Sequence, residues 1–231
     1  YGVSNTVIVY RRTAWNPSPV PILTILTIYA LIKYLKTKSE KWYLSIWFFA
    51  ALGGQLHYTY FYFIAALVIV LFFYQRNFPK WTKGIIKGAI VLFLINSSLL
   101  IFDLRHNFIT SKAFIAFISG DKVGIELSSY LSNYFQNLRQ LFDLTLFSGF
   151  NSVLITVLIV GLILLLLLRN KKSFLLVIVG LLAVSLLFFS AFRETVQLYY
   201  FNFLLPIPFL FVGYIFSGLK NNKFNFIALL F

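Results

Sequence analysis

Apolar runs separated by short polar stretches recur along the whole chain. They occupy residues 19–35, 42–56, 57–74, 85–102, 152–168, 173–192 and 198–216, and an eighth opens in "FNFIALLF" and stops at Phe231. Most approach the ~17 to 25 residues that a membrane-spanning helix needs. The pattern therefore predicts an all-α, polytopic integral membrane protein with about seven transmembrane helices and a truncated eighth. Residues 42–74 are too long for one span, since a straight helix at ~1.5 Å per residue would reach ~50 Å against a hydrocarbon core of ~30 Å. Gly53 and Gly54, followed by Gln55 and His57, supply a flexible polar corner there, and the run is expected to fold as a hairpin of two short helices.

Composition agrees with this reading. Hydrophobic residues make up 60% of the chain and charged residues 11%, with a mean hydropathy of +0.87, which is too apolar for an ordinary water-soluble globule. The net charge of +14 would suit nucleic acid if the cations formed one stripe, but they sit in clusters between apolar runs, so no nucleic-acid partner is expected. The loops at 33–41, 75–87, 169–172 and 217–223 hold all but seven of the 20 Lys and Arg residues. The remaining seven, Arg11, Arg12, Arg105, Lys112, Lys122, Arg139 and Arg193, share the other side with five of the six acids. By the positive-inside rule the first set is cytoplasmic, and the alternation of loops holds only if 42–74 is a hairpin. The expectation is a multi-pass plasma-membrane protein, a single transmembrane domain over 1–231 embedded in the lipid bilayer. A start at Tyr1 and an apolar stop at Phe231 are read as those of an internal fragment of a longer chain.

The outer face carries the candidate chemistry. Its long loop, 103–151, contains apolar positions at helical spacing: Ile125, Tyr130, Leu131, Tyr134, Leu138, Leu141 and Phe142. They predict an amphipathic helix that either lies on the membrane surface or packs against protein. Upstream, Pro17, Pro19 and Pro21 in "YRRTAWNPSPVP" fix an extended approach to the first helix. Nucleotide-binding glycine loops, HExxH and GxSxG are all absent. With two histidines and no cysteine, a zinc site would need carboxylates for most of its ligands. What remains is a ring of polar groups at the outer ends of helices: Trp15 and Asn16; Gln55, His57 and Tyr58; Asp103, Arg105 and His106; Arg193 and Glu194; and Gln197, Tyr199 and Tyr200. Aromatics there suit an ordinary interfacial belt, and Asp103 suits pairing with Arg105 or His106 at a snorkelling helix end. Ionisable groups near membrane depth suit function, because each is costly to place there.

In order along the chain, "WNPSPVP", "GGQLHYT", "FDLRHNF" and "YYFNFLLPIPFL" resemble motifs of the GT-C type membrane glycosyltransferases. The nearest resemblance is to bacterial relatives of protein mannosyltransferases and of the lipid A aminoarabinose transferase. The resemblance implies an enzyme that moves a sugar from a polyprenyl-phosphate donor to a glycan, lipid or protein acceptor on the extracytoplasmic side. It places the catalytic carboxylate in a loop expected upstream of Tyr1, so Asp103 is not given that role and the fragment alone is expected to be inactive. Arg105, His106, Arg12 and Arg193 are then candidates for binding the donor phosphate, because a guanidinium offers paired N–H donors to phosphate oxygens. Asp103 would orient Arg105. Trp15, Asn16, Gln55, His57, Tyr58, Tyr199 and Tyr200 would contact sugar or acceptor. No cofactor is expected, and a divalent metal is not indicated. A transporter or flippase of a lipid-linked sugar and a non-catalytic membrane assembly subunit are the alternatives; a transporter should repeat its segments in two halves, and no such repeat is visible.

Overall fold

The computed structural model describes residues 18–75, 78–119, 127–145, 173–191 and 198–218, and among them the chain is all-α, with eight helices and no strand. Helix α1 (Val20–Thr37) starts on Pro19 and Pro21, whose lack of an N–H is harmless in a first turn that has no helical acceptors. It stops where Lys38 takes a left-handed φ of 56° and gives its N–H to Tyr34 O at 2.8 Å. Helix α2 (Glu40–Leu56) runs back along α1, with Tyr34 edge-on to Tyr43 at one end and Leu52 and Leu56 beside Leu23 at the other. Helix α3 (Tyr60–Gln75) returns parallel to α1. The fully buried Tyr60 hydroxyl meets Thr27 Oγ1 at 3.2 Å, and the Tyr74 hydroxyl meets Lys38 Nζ.

The expected hairpin is present, but its corner is displaced. Gly53 and Gly54 stay inside α2, and the chain turns at His57, Tyr58 and Thr59. The glycines provide closeness in place of flexibility: a Cβ on Gly53 would lie 2.5 Å from the Tyr60 ring, and one on Gly54 would lie 3.2 Å from Phe61. Removing both side chains lets the start of α3 lie directly against the end of α2.

Helix α4 (Phe78–Arg105) runs parallel to α2 along a seam of small residues. Gly84 faces the Tyr43 hydroxyl and Gly88 faces the Trp47 ring, where an added Cβ would come within 2.6 and 2.4 Å respectively. Tyr43 and Trp47 are four residues apart on α2, as their glycines are on α4, so one ridge fills one groove. Past Ser98 the helix leaves α2 behind and exposes Leu99, Leu100, Ile101, Phe102 and Leu104. It then reverses through residues 106–108 into α5 (Ile109–Ser119).

The predicted amphipathic helix is α6 (Leu127–Thr145), packed against α7 (Ser173–Ser190). Its Tyr130 hydroxyl donates to Leu187 O and its Asn133 side chain to Ser190 O, while Leu138, Leu141 and Phe142 are buried. Leu131 departs from the expected stripe and is exposed, as is Phe135; Ile125 lies outside the described residues. The run at 198–216 is not one helix. It winds a 3₁₀ turn (Leu198–Phe201), passes through turns, and begins α8 (Pro206–Gly218) at a proline. Phe201, Phe203, Leu204 and Leu205 fill the core between α3 and α7, where Phe203 stacks on Phe189 at 5.7 Å.

Of the expected spans, two of the described helices are long and apolar enough to cross a membrane: Val20–Thr37 and Trp81–Arg105. Tyr60–Tyr74 and Leu175–Ser190 are apolar but shorter. The two hairpin helices have 17 and 16 residues, or ~25 Å at ~1.5 Å per residue, a little short of a ~30 Å core. The expected segments at 152–168 and beyond 218 lie outside the described residues.

Candidate functional site

At the turn between α2 and α3 the chain brings together residues that are far apart in sequence. His57 stacks on Tyr58 with ring centres 4.8 Å apart, and meets Tyr199 edge-on and Tyr200 at a tilt, each at 6.1 Å. Tyr58 also contacts Tyr200 at 5.9 Å, and Tyr199 contacts Tyr200 at 4.3 Å. Thr59, almost fully buried, joins the two segments: its hydroxyl lies 2.6 Å from His57 Nδ1 and 3.4 Å from Tyr200 O. The Thr59 N–H also points at Nδ1, at 3.4 Å. The cluster exists because Phe201, Phe203 and the residues after them are core, which fixes Tyr199 and Tyr200 at the rim beside the α2–α3 turn.

Burial of the imidazole lowers the His57 pKa from its usual 6.5, so the ring is neutral at pH 7. Burial raises the Tyr58 phenol well above its usual range, helped by a hydrogen bond with Tyr200. The Tyr199 phenol is pushed up to about 12, chiefly by its hydrogen bond to Tyr200 and then by burial. The rim is therefore an uncharged set of aromatic faces, phenol hydroxyls and one imidazole N–H, suited to hydrogen-bonding and stacking on a polyhydroxylated ligand.

Gln55, one turn earlier on α2, is tied to α4 through Nε2, which donates to Ile95 O at 2.5 Å and to Ser98 Oγ at 3.3 Å. Its amide is thus engaged in joining helices, a use that the sequence did not reveal.

The Asp103, Arg105 and His106 triplet lies further along α4. Arg105 is seven residues beyond Ser98, or ~10 Å at the helical rise, so the triplet and the His57 cluster form two separate groups. Here the structure corrects an expectation. Asp103 makes no ion pair with Arg105; its carboxylate turns to the N-terminus of α5, accepting the Thr110 N–H at 2.7 Å, the Ser111 N–H at 3.2 Å and the Ser111 hydroxyl. The Asp103 carbonyl accepts the Phe108 N–H at 2.8 Å as well. Phe108, which precedes α5, has no side-chain acceptor to cap it, so the aspartate of the preceding helix does so. Asn107 and Phe108 hold φ of 54° and 59°, a region that side chains with a Cβ rarely occupy, and this corner is what keeps them there.

The other two members differ from each other. Arg105 is exposed and makes no hydrogen bond or ion pair with any described residue. His106 folds back on its own helix: Nδ1 donates to Phe102 O at 2.7 Å and the ring stacks on Phe102 at 4.0 Å. Arg12, Trp15, Asn16 and Arg193, also expected to contribute, lie outside the described residues. Thr59, Thr110 and Ser111 were not anticipated, because their roles come from contacts between elements and not from a local spacing.

The described residues thus define an all-helical protein with an aromatic and imidazole cluster at one end of a helical hairpin. Comparison with protein-family models, curated proteins and solved structures gives no match to this chain.

Proposed function

We propose that the chain is part of a polytopic membrane glycosyltransferase that takes a sugar from a polyprenyl-phosphate donor at the extracytoplasmic face. The observation that carries the reading is the contact of His57 and Tyr58 with Tyr199 and Tyr200, which joins two of the four resembling motifs in one cluster. An uncharged aromatic rim suits sugar faces and hydroxyls, and it sits at the same end of the hairpin as the exposed Arg105 guanidinium. The exposed apolar flank of α4, from Leu99 to Leu104, supports placement in hydrocarbon, since soluble surfaces rarely carry such a patch. Arg105 would take the lipid phosphate while the His57 cluster holds the sugar.

The test is binding of a polyprenyl-phosphate sugar to the detergent-solubilised chain, with polyprenyl phosphate and polyprenol as competitors. Saturable binding that phosphate competes for and polyprenol does not, weakened by both Arg105→Ala and Tyr58→Ala, is the expected result. Equal competition by polyprenol, or no saturable binding, would overturn the reading.

A further inference from the structure

The opposite end of the hairpin holds a hollow of about 620 Å³, formed where α1 and α3 end and α2 and α4 begin. Lys38, Lys83 and Lys87 reach it from the end of α1 and from α4, and Tyr34, Tyr43 and Tyr74 complete its wall. Glu40 is the one carboxylate among its described lining residues, and it is already paired with Lys87. That leaves two cations without a compensating anion. Lys38 gives its ammonium to the Tyr74 hydroxyl and lies 4.3 Å from that ring's centre, whereas Lys83 has no hydrogen bond or ion pair with any described residue. Lys38 and Lys83 bring two further ammonium groups beside the Lys87–Glu40 pair, and gathering them round one concavity is unfavourable unless a second anion compensates them.

The shape of the hollow is built into the helix seam. Gly84 lies between Lys83 and Lys87 on α4, and its missing side chain lets the Tyr43 hydroxyl approach the helix backbone, where a Cβ would stand 2.6 Å away. The Tyr43 ring thus closes one side of the hollow, and lysine ammonium groups and tyrosine hydroxyls line it as donors. A general excess of lysines on one side of a membrane does not require this convergence. The donors are many, flexible and hard, which suits the tetrahedral oxygens of a phosphate better than a planar carboxylate.

We propose that this hollow binds a phosphate group, held by Lys38, Lys83 and Lys87, at the end of the hairpin opposite the His57 cluster. Its position beside the ends of four helices fits the headgroup phosphate of an anionic phospholipid, and the same donors would accept a free phosphate ion. The site is independent of the transferase reading and survives its failure.

The experiment uses the full chain in two arms. In the first, protein in mixed phosphatidylglycerol and phosphatidylcholine nanodiscs is extracted into detergent, and the lipid retained is counted by native mass spectrometry. Wild type should retain phosphatidylglycerol over phosphatidylcholine, and Lys83→Ala should lower that retention roughly fivefold. Lys33→Ala, which lies outside the hollow, should leave it unchanged. In the second arm, inorganic phosphate binding is measured by equilibrium dialysis on the same variants; binding here with no lipid preference in the first assigns the site to soluble phosphate. Lys83 has no partner among the described residues to lose, so its removal should leave the thermal midpoint unaltered. Equal loss in Lys33→Ala would reduce the effect to general surface charge, and neither lipid preference nor phosphate binding in wild type would equally overturn the site.

Discussion

The Asp103 carboxylate accepts the backbone N–H of Thr110 at 2.7 Å, across the corner that joins α4 to α5. The side chain thereby caps the start of α5, while the Asp103 backbone carbonyl takes the Phe108 N–H at the end of α4. Asp103→Ala should leave the Thr110 and Ser111 amides uncapped and raise their hydrogen-exchange rates on the order of tenfold, with α5 fraying first. Asp103→Asn keeps an acceptor oxygen and should lose less. Unchanged exchange at both amides in the alanine variant would show that the corner holds without its aspartate.

The α2–α4 seam predicts an asymmetry among glycines. Gly88→Val would drive side-chain atoms into the Trp47 ring, and overpacking of this kind costs about 1–3 kcal/mol. Gly213 in α8 has no described residue within 4 Å of where its Cβ would stand, so Gly213→Ala should be neutral or stabilise by about 0.5–1 kcal/mol through helix propensity. Thermal midpoints of the two variants in one detergent provide the comparison, and equal shifts would count against the close approach of α2 and α4.

His57 supplies a pH dependence with a definite sign. Its pKa is lowered by burial in the folded chain, below the ordinary 6.5 of the unfolded one. Between the two values the unfolded state binds the proton and the folded state does not, so stability falls as pH drops from about 6.5 to the lowered value and then levels off. Above about 6.5 the contribution is fully present. His57→Gln should flatten the unfolding midpoint over pH 7 to 5 relative to wild type; a variant with the same slope would assign the dependence to another group.

For Arg105 the expectation concerns ligand and not fold. With no described partner to lose, Arg105→Ala should leave the melting temperature within about a degree, as exposed substitutions usually do. Affinity for a polyprenyl-phosphate sugar should drop roughly tenfold, and Arg105→Lys should recover only part of it, keeping the charge but not the paired donors. Loss of folded protein in the alanine variant would instead make Arg105 structural.

Helix placement was legible along much of the chain because it depends on neighbours within a few residues. Prolines at 19 and 21 start α1, and the apolar period of "LSSYLSNYFQNLRQLFDL" lays out α6. The same local logic misread Gly53 and Gly54 as a bend, since their use depends on Tyr60 and Phe61 arriving from the next helix.

Composition and periodicity by themselves determined an all-α chain, the existence of a hairpin over 42–74 and the amphipathic character of residues in the long loop. Only the tertiary structure decided which polar groups meet. Asp103 stands two residues from Arg105 yet bonds to Thr110 and Ser111, because a helix points those two side chains in different directions and the reversed chain offers unpaired amides to one of them. His57 meets Tyr199 and Tyr200 across more than 140 residues because the buried Phe201 and Phe203 dock the later segment against α3. Hydrophobic pattern fixes which face of a helix is buried, but the register between helices, set by side chains such as Tyr43 and Trp47 fitting against Gly84 and Gly88, fixes which residues become neighbours.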